Sequence, residues 1–203
     1  MNIYVESNFV LELALRQEQY KSCEKIISAC QERKINLFVP AYCLAEPYEA
    51  LIRRSKIRQD LKENVKYQLE QLARSEPYKE KVDALKDDLT NLLAGSSDED
   101  NERLREVISI ILSLAEVVPL DRSILANAIE FESNLGLSPQ DSIVFASVMS
   151  HLNIASEGKK CFLNRNSRDF DTPDIVEALN NYGCKMLFSF NNGYNYIQSQ
   201  LQE

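Results

Sequence analysis

The stretch Ile3-Tyr4-Val5-Glu6-Ser7-Asn8-Phe9-Val10-Leu11 decides the fold. Ile3 to Val5 reads as a short buried strand, and Phe9, Val10 and Leu13 continue it as a helical pattern. Between the two stand an acid and an amide. Buried strand ends rarely carry an unpaired acid, so Glu6 is the least ordinary residue of the segment.

The same arrangement recurs along the chain. Leu37 to Val39 is a second strand, ended by Pro40, and Glu46 follows early in a helix. Val117 to Leu120 is a third, with Pro119 pointing to an edge or terminal position, and Asp141 lies in the first turn of a later helix. Cys161 to Leu163 is a fourth, with Asp169 in the segment behind it, and Lys185 to Phe188 is a fifth. Strands alternating with helices predict a mainly parallel sheet covered on both faces. Carboxylates that follow such strands can converge at one sheet edge, where ligands bind in open α/β folds.

The stretch between the second and third strands has a different period. Leu51, Ile57, Leu61, Val65, Leu69 and Leu72 recur at helical spacing from a start near Ala45. Ser75 and Pro77 mark a break, and Val82, Leu85, Leu89 and Leu92 form the apolar face of a new helix. Gly95 to Asp100 reads as a loop, with Ser97 and Asp100 as a capping box for a further helix that buries Leu104, Val107, Ile108, Ile111 and Leu112. Residues 58–116 are therefore expected to be a helical insertion in one domain spanning 1–203. Helices follow from Asp121 to Asn134, stopped at Gly136, and from Pro139 to His151.

Composition bounds the function. The chain has 203 residues, 44% of them hydrophobic, and a formal net charge of -8. That charge disfavours broad adhesion to nucleic acid, because a phosphate backbone rewards clustered Lys and Arg. A local basic rim remains open, from Arg53, Arg54, Lys56 and Arg58 and from Lys159, Lys160, Arg165 and Arg168, with a solvated surface as the other reading of each cluster. Cys23, Cys30, Cys43, Cys161 and Cys184 have no C-x-x-C spacing, which suggests neither a disulfide framework nor a zinc site. Val107 to Leu114, the longest apolar stretch, is too short to span a bilayer. A soluble, cytoplasmic protein is expected. No glycine-rich phosphate loop or serine-hydrolase elbow is present.

Four segments carry the candidate chemistry: Glu6-Ser7-Asn8, Glu46 in the helix after Pro40, Ser138-Pro139-Gln140-Asp141, and Asn164-Arg165-Asn166-Ser167-Arg168-Asp169-Phe170. In their order and in their placement after strands they resemble the PIN-domain ribonuclease family, including the VapC-like toxins of toxin-antitoxin pairs. The likeness covers residues 1–55 and 117–188 and leaves out the insertion. Glu6 stands where that family usually has Asp, and Asn164 where Thr is common. The resemblance implies a PIN-like three-layer α/β/α sandwich acting as a Mg2+ or Mn2+ dependent ribonuclease on single-stranded RNA. It implies Glu6, Asp141 and Asp169 as metal ligands, Glu46 as a ligand through water or a positioner of the attacking water, and Asn8 and Asn166 as residues that orient these carboxylates. Ser7 and Asn164 are weaker candidates. The partners it implies are an antitoxin protein and a second copy of the chain.

Each acid also has a purely structural reading. Ser138 with Asp141 fits a capping box, Asp169 a turn, and Glu46 an exposed helix position with Glu49 as its rival. The alternative to a nuclease is a catalytically degenerate PIN-like module that binds RNA or protein without cutting.

Overall fold

The computed structural model describes residues 1–202, apart from the side chains at positions 86, 87, 90 and 94. Five strands form one parallel sheet: β1 (Asn2–Val5), β2 (Asn36–Pro40), β3 (Glu116–Val118), β4 (Lys160–Leu163) and β5 (Cys184–Leu187). Their order is β3-β2-β1-β4-β5. The chain moves outward from β1 through β2 to β3, then returns to lay β4 on the other side of β1. The crevice beyond the ends of β1 and β4 is thus the topological switch point, the preferred ligand position in open α/β sheets.

Tyr4 is in register with Phe38 on β2 and with Phe162 on β4. Period-2 alternation turns all three to one face, where Phe38 and Tyr4 meet His151 and Phe162 meets Phe170. His151 belongs to α6 (Pro139–Ile154). In another layer, Phe9 of α1 (Ser7–Leu15) packs edge-on against Phe190 of α9 (Phe190–Leu201). Ile3, Tyr4, Val5, Phe162 and Leu163 are wholly buried, which is why β1 and β4 read as unbroken apolar runs.

α2 (Tyr20–Gln31) follows α1, and α5 (Arg122–Leu135) ends at Gly136, whose φ of 68° supplies the left-handed cap expected there. A one-turn helix α7 (Ser167–Phe170) and α8 (Pro173–Asn180) link β4 to β5.

The helices between β2 and β3 depart from their sequence reading. α3 begins at Tyr42, runs to Leu72 and contains Pro47 in its second turn. After a 3-10 turn at Glu76–Tyr78, α4 runs unbroken from Lys79 to Leu114, so the loop expected at Gly95 to Asp100 is helix. Asp100 is a tertiary partner rather than a cap: it takes hydrogen bonds from Arg58 of α3, at 2.7 Å, and from Arg103. Local loop chemistry lost to this interhelical pairing. The apolar stripes are also only partly covered. Leu51, Val82, Leu104, Ile108 and Ile111 are buried, whereas Ile57, Leu61, Leu72, Leu85, Leu89, Leu92 and Leu112 are exposed.

Candidate active site

β1 hands its chain to α1 at Glu6, and the carboxylate caps the helix by accepting the Asn8 backbone N–H at Oε2, 2.8 Å away. Its other oxygen accepts the Arg165 N–H, 3.1 Å away, just beyond β4. One side chain therefore straps the ends of the two central strands together. Glu6 is 7% exposed, and burial pushes its carboxyl up to about 7, although both backbone N–H groups pull the other way.

Glu46 lies on α3 and accepts the Ser7 hydroxyl across the same crevice. Asp141 stands in the first turn of α6 in a reciprocal cap: its N–H reaches Ser138 Oγ at 3.2 Å, and Ser138 Oγ donates to its Oδ2 at 2.7 Å. The capping reading of Asp141 is thus real, and the carboxylate nevertheless faces the crevice. The amide of Asn166 donates to Asp141 at 3.2 Å and to Asp169 Oδ2 at 2.8 Å. Asp169 is thereby linked to Asp141 through Asn166, while it does not itself line the cleft.

These side chains border an open cleft of about 760 Å³ lined by Glu6, Ser7, Asn8, Glu46, Asp141, Asn164, Arg165 and Asn166. Asn164 is 1% exposed, and its Oδ1 accepts the Asn166 N–H at 2.6 Å, which fixes the amide orientation. Its Nδ2 has no hydrogen-bond partner among the described residues. Buried donors without partners are rare, and ordered water or a ligand is the usual explanation.

The expected basic rim divides. Arg53, Arg54 and Arg165 line the cleft. Arg58 is taken up by Asp100, and Lys160 is buried with its Nζ 3.4 Å from the Tyr182 carbonyl. Lys160 belongs to the sheet interior rather than to a rim.

Sequence reasoning passed over Glu12. It is fully buried in α1, accepts the Arg165 guanidinium at one oxygen and takes the Gln19 N–H at the other, 2.8 Å away. The signal was an acid inside the apolar run Val10-Leu11-Glu12-Leu13-Ala14. A buried charge needs a partner, and here the partner is a cleft arginine.

The donor set suits a hard divalent cation in kind, since every cleft acid offers carboxylate oxygen. Among the described residues, no three His, Cys, Asp or Glu side chains come close enough to share one ion directly. Mg2+ is commonly held by one or two carboxylates, with water completing the shell, so the cleft fits that mode rather than an all-protein cage. Among the described residues, no helix is long and apolar enough to cross a membrane.

A parallel α/β sheet with an acid-lined cleft at its switch point defines the class. Within that class the chain belongs to the PIN-domain family, whose model matches residues 3–170. Among solved structures it is similar to the crystal structure of VapBC2 from Rickettsia felis bound to a DNA fragment from their promoter. The identity is 11%, the TM-score is 0.45, and the match covers 92% of this chain and 99% of that one. No curated protein sequence matches the chain.

Proposed function

We propose that the protein is a divalent-metal-dependent ribonuclease that hydrolyses phosphodiester bonds of single-stranded RNA in the cytoplasm. One observation carries the reading: Glu6, Glu46 and Asp141, far apart in sequence, line one cleft at the switch point of a PIN-family sheet. Glu6, Asp141 and Asp169 are the proposed ligands of Mg2+ or Mn2+, directly or through water. A bound ion of this kind supplies Lewis-acid stabilisation of the phosphodiester and lowers the pKa of a coordinated water. Glu46, which accepts the Ser7 hydroxyl, is the proposed acceptor of a hydrogen bond from the attacking water. Asn166 keeps Asp141 and Asp169 at fixed separation, and the Asn8 and Arg165 N–H groups keep Glu6 from turning away.

An antitoxin protein and a second copy of the chain are the proposed protein partners. The exposed apolar side chains of the insertion, Leu61, Leu85 and Leu92 among them, support a protein contact.

The test is cleavage of labelled single-stranded RNA across a Mg2+ or Mn2+ titration. Asp141→Asn keeps the shape of the α6 cap while removing the charge, and is expected to lower the rate by about a hundredfold or more. Wild type that cuts no RNA with either ion sinks the nuclease reading. The second reading, a PIN-like module that binds RNA or protein without cutting, is favoured by the full engagement of Glu6 by backbone N–H groups. It predicts RNA retention with no product at any ion concentration.

A further inference from the structure

We infer that one face of α3, from Tyr42 to Ile57, is a track for single-stranded nucleic acid, with Arg54 as its phosphate contact. The inference rests on the nuclease reading only for the identity of the polyanion.

Tyr42, Glu46, Ala50, Arg53, Arg54 and Ile57 all line the cleft. They recur at three- and four-residue spacing, so they form one stripe about 22 Å long at 1.5 Å per residue. The stripe starts beside the acids and runs out along the insertion. Its far end is cationic and apolar.

The four arginines near this stripe have different fates. Arg58 is bound by Asp100, and Arg165 by the buried Glu12. Arg53 is 4.0 Å from Glu49 and largely exposed. Arg54 is half-buried in the cleft wall and has no ion pair or hydrogen bond among the described residues. A guanidinium turned toward a cleft without a carboxylate to pair with is suited to a phosphate, which its fork can bind through two parallel hydrogen bonds.

The electrostatics favour such a group. Glu6, Glu46, Glu49 and Asp141 line the same cleft, in a chain of net charge -8. A polyanion approaching them is repelled unless a fixed cation holds a neighbouring phosphate. Ile57, 67% exposed, and the half-buried Tyr42 offer apolar surface against which unstacked bases can pack. A duplex would bury its bases and forgo these contacts, which is why the track suits a single strand.

The experiment measures binding of a fluorescein-labelled oligouridine to the full-length protein by anisotropy over a salt series in EDTA, alongside cleavage with Mg2+ or Mn2+. Arg54→Glu is expected to weaken binding about tenfold or more. Arg54→Ala should lower the slope of log affinity against log salt by about 0.7, the value for one phosphate contact on a single strand. Arg54→Lys should restore most of the affinity. Lys66→Glu, on an exposed part of the same helix outside the cleft, makes the same charge change and should alter affinity less than about twofold. Cleaving wild type with unaltered binding in Arg54→Glu, or equal loss in Lys66→Glu, overturns the track and leaves the nuclease reading standing. Arg54-dependent binding with no cleavage does the reverse. Wild type that neither binds nor cuts overturns both.

Discussion

The cleft end of the sheet and the long helices α3 and α4 both carry apolar repeats, yet they are held by different means. At the cleft, Glu6 is fixed by two backbone N–H groups, Asp141 by Ser138 and Asn166, and Glu46 by the Ser7 hydroxyl. Behind them lie strands with no exposed side chain in β1 or β4 except the half-buried Asn2. The α3–α4 pair instead leaves much of its apolar stripe in water and is tied together by the Arg58–Asp100–Arg103 cluster. Positional precision is concentrated where chemistry is proposed, and the α3–α4 pair is left with apolar surface that a partner can cover.

The largest expected effect tests the cost of burying the Glu6 carboxylate. Its carboxyl is raised to about 7 from an ordinary 4.5, so the folded chain binds this proton more tightly than the unfolded chain does. The contribution to stability is full below about pH 4.5 and is lost as pH rises through about 7. Urea unfolding in EDTA should therefore show a decline of up to about 3 kcal/mol between pH 4.5 and 8 from this group. Glu6→Ala should lack that component. If the variant keeps the wild-type pH slope, Glu6 is not its source.

Asp100→Ala should come next, at about 2 kcal/mol, because it strands Arg58 and Arg103 while their outer atoms remain in water. Hydrogen exchange is expected to speed up along α4 and to leave the amides of β1 and β4 protected. Equal acceleration in the strands would show that the α3–α4 pair and the sheet unfold as one unit.

Gly193→Ala probes the packing behind the cleft. A Cβ there would lie 2.6 Å from Leu163 Cδ2, and Leu163 is wholly buried on β4 immediately before Asn164. We expect a loss of about 1 to 2 kcal/mol, read as a lower urea midpoint at unchanged slope. A neutral result would mean that Leu163 can repack without moving the strand.

The smallest effect belongs to the exposed surface of α4. Leu92 is 68% exposed, and Leu92→Gln should change stability by less than about 0.5 kcal/mol. A larger loss measured at high protein concentration and absent at low concentration would reveal a self-association surface.

Much of this architecture was readable from residue pattern alone. The five strands, the alternation with helices and the break at Ser75 to Pro77 follow from periodicity and turn chemistry, which act over a few residues. The placement of acids after strands was equally local. The helix through Gly95 to Asp100 was not readable, because the residue that looked like a cap is used by Arg58, 42 positions away. Nor could the sequence divide its two basic clusters: Lys160 is buried, Arg58 is consumed, and Arg54 lines the cleft half-buried, with no partner among the described residues.

The amino-acid order by itself determined which segments are strands and helices and which carboxylates stand at strand ends, because these depend on neighbours within one or two turns. Only the tertiary structure decided that β4 returns beside β1, that Glu6 reaches the backbone of Arg165, and that Asn166 joins Asp141 to Asp169. Those outcomes depend on strand order and on buried partners distant in sequence, and no local pattern encodes either.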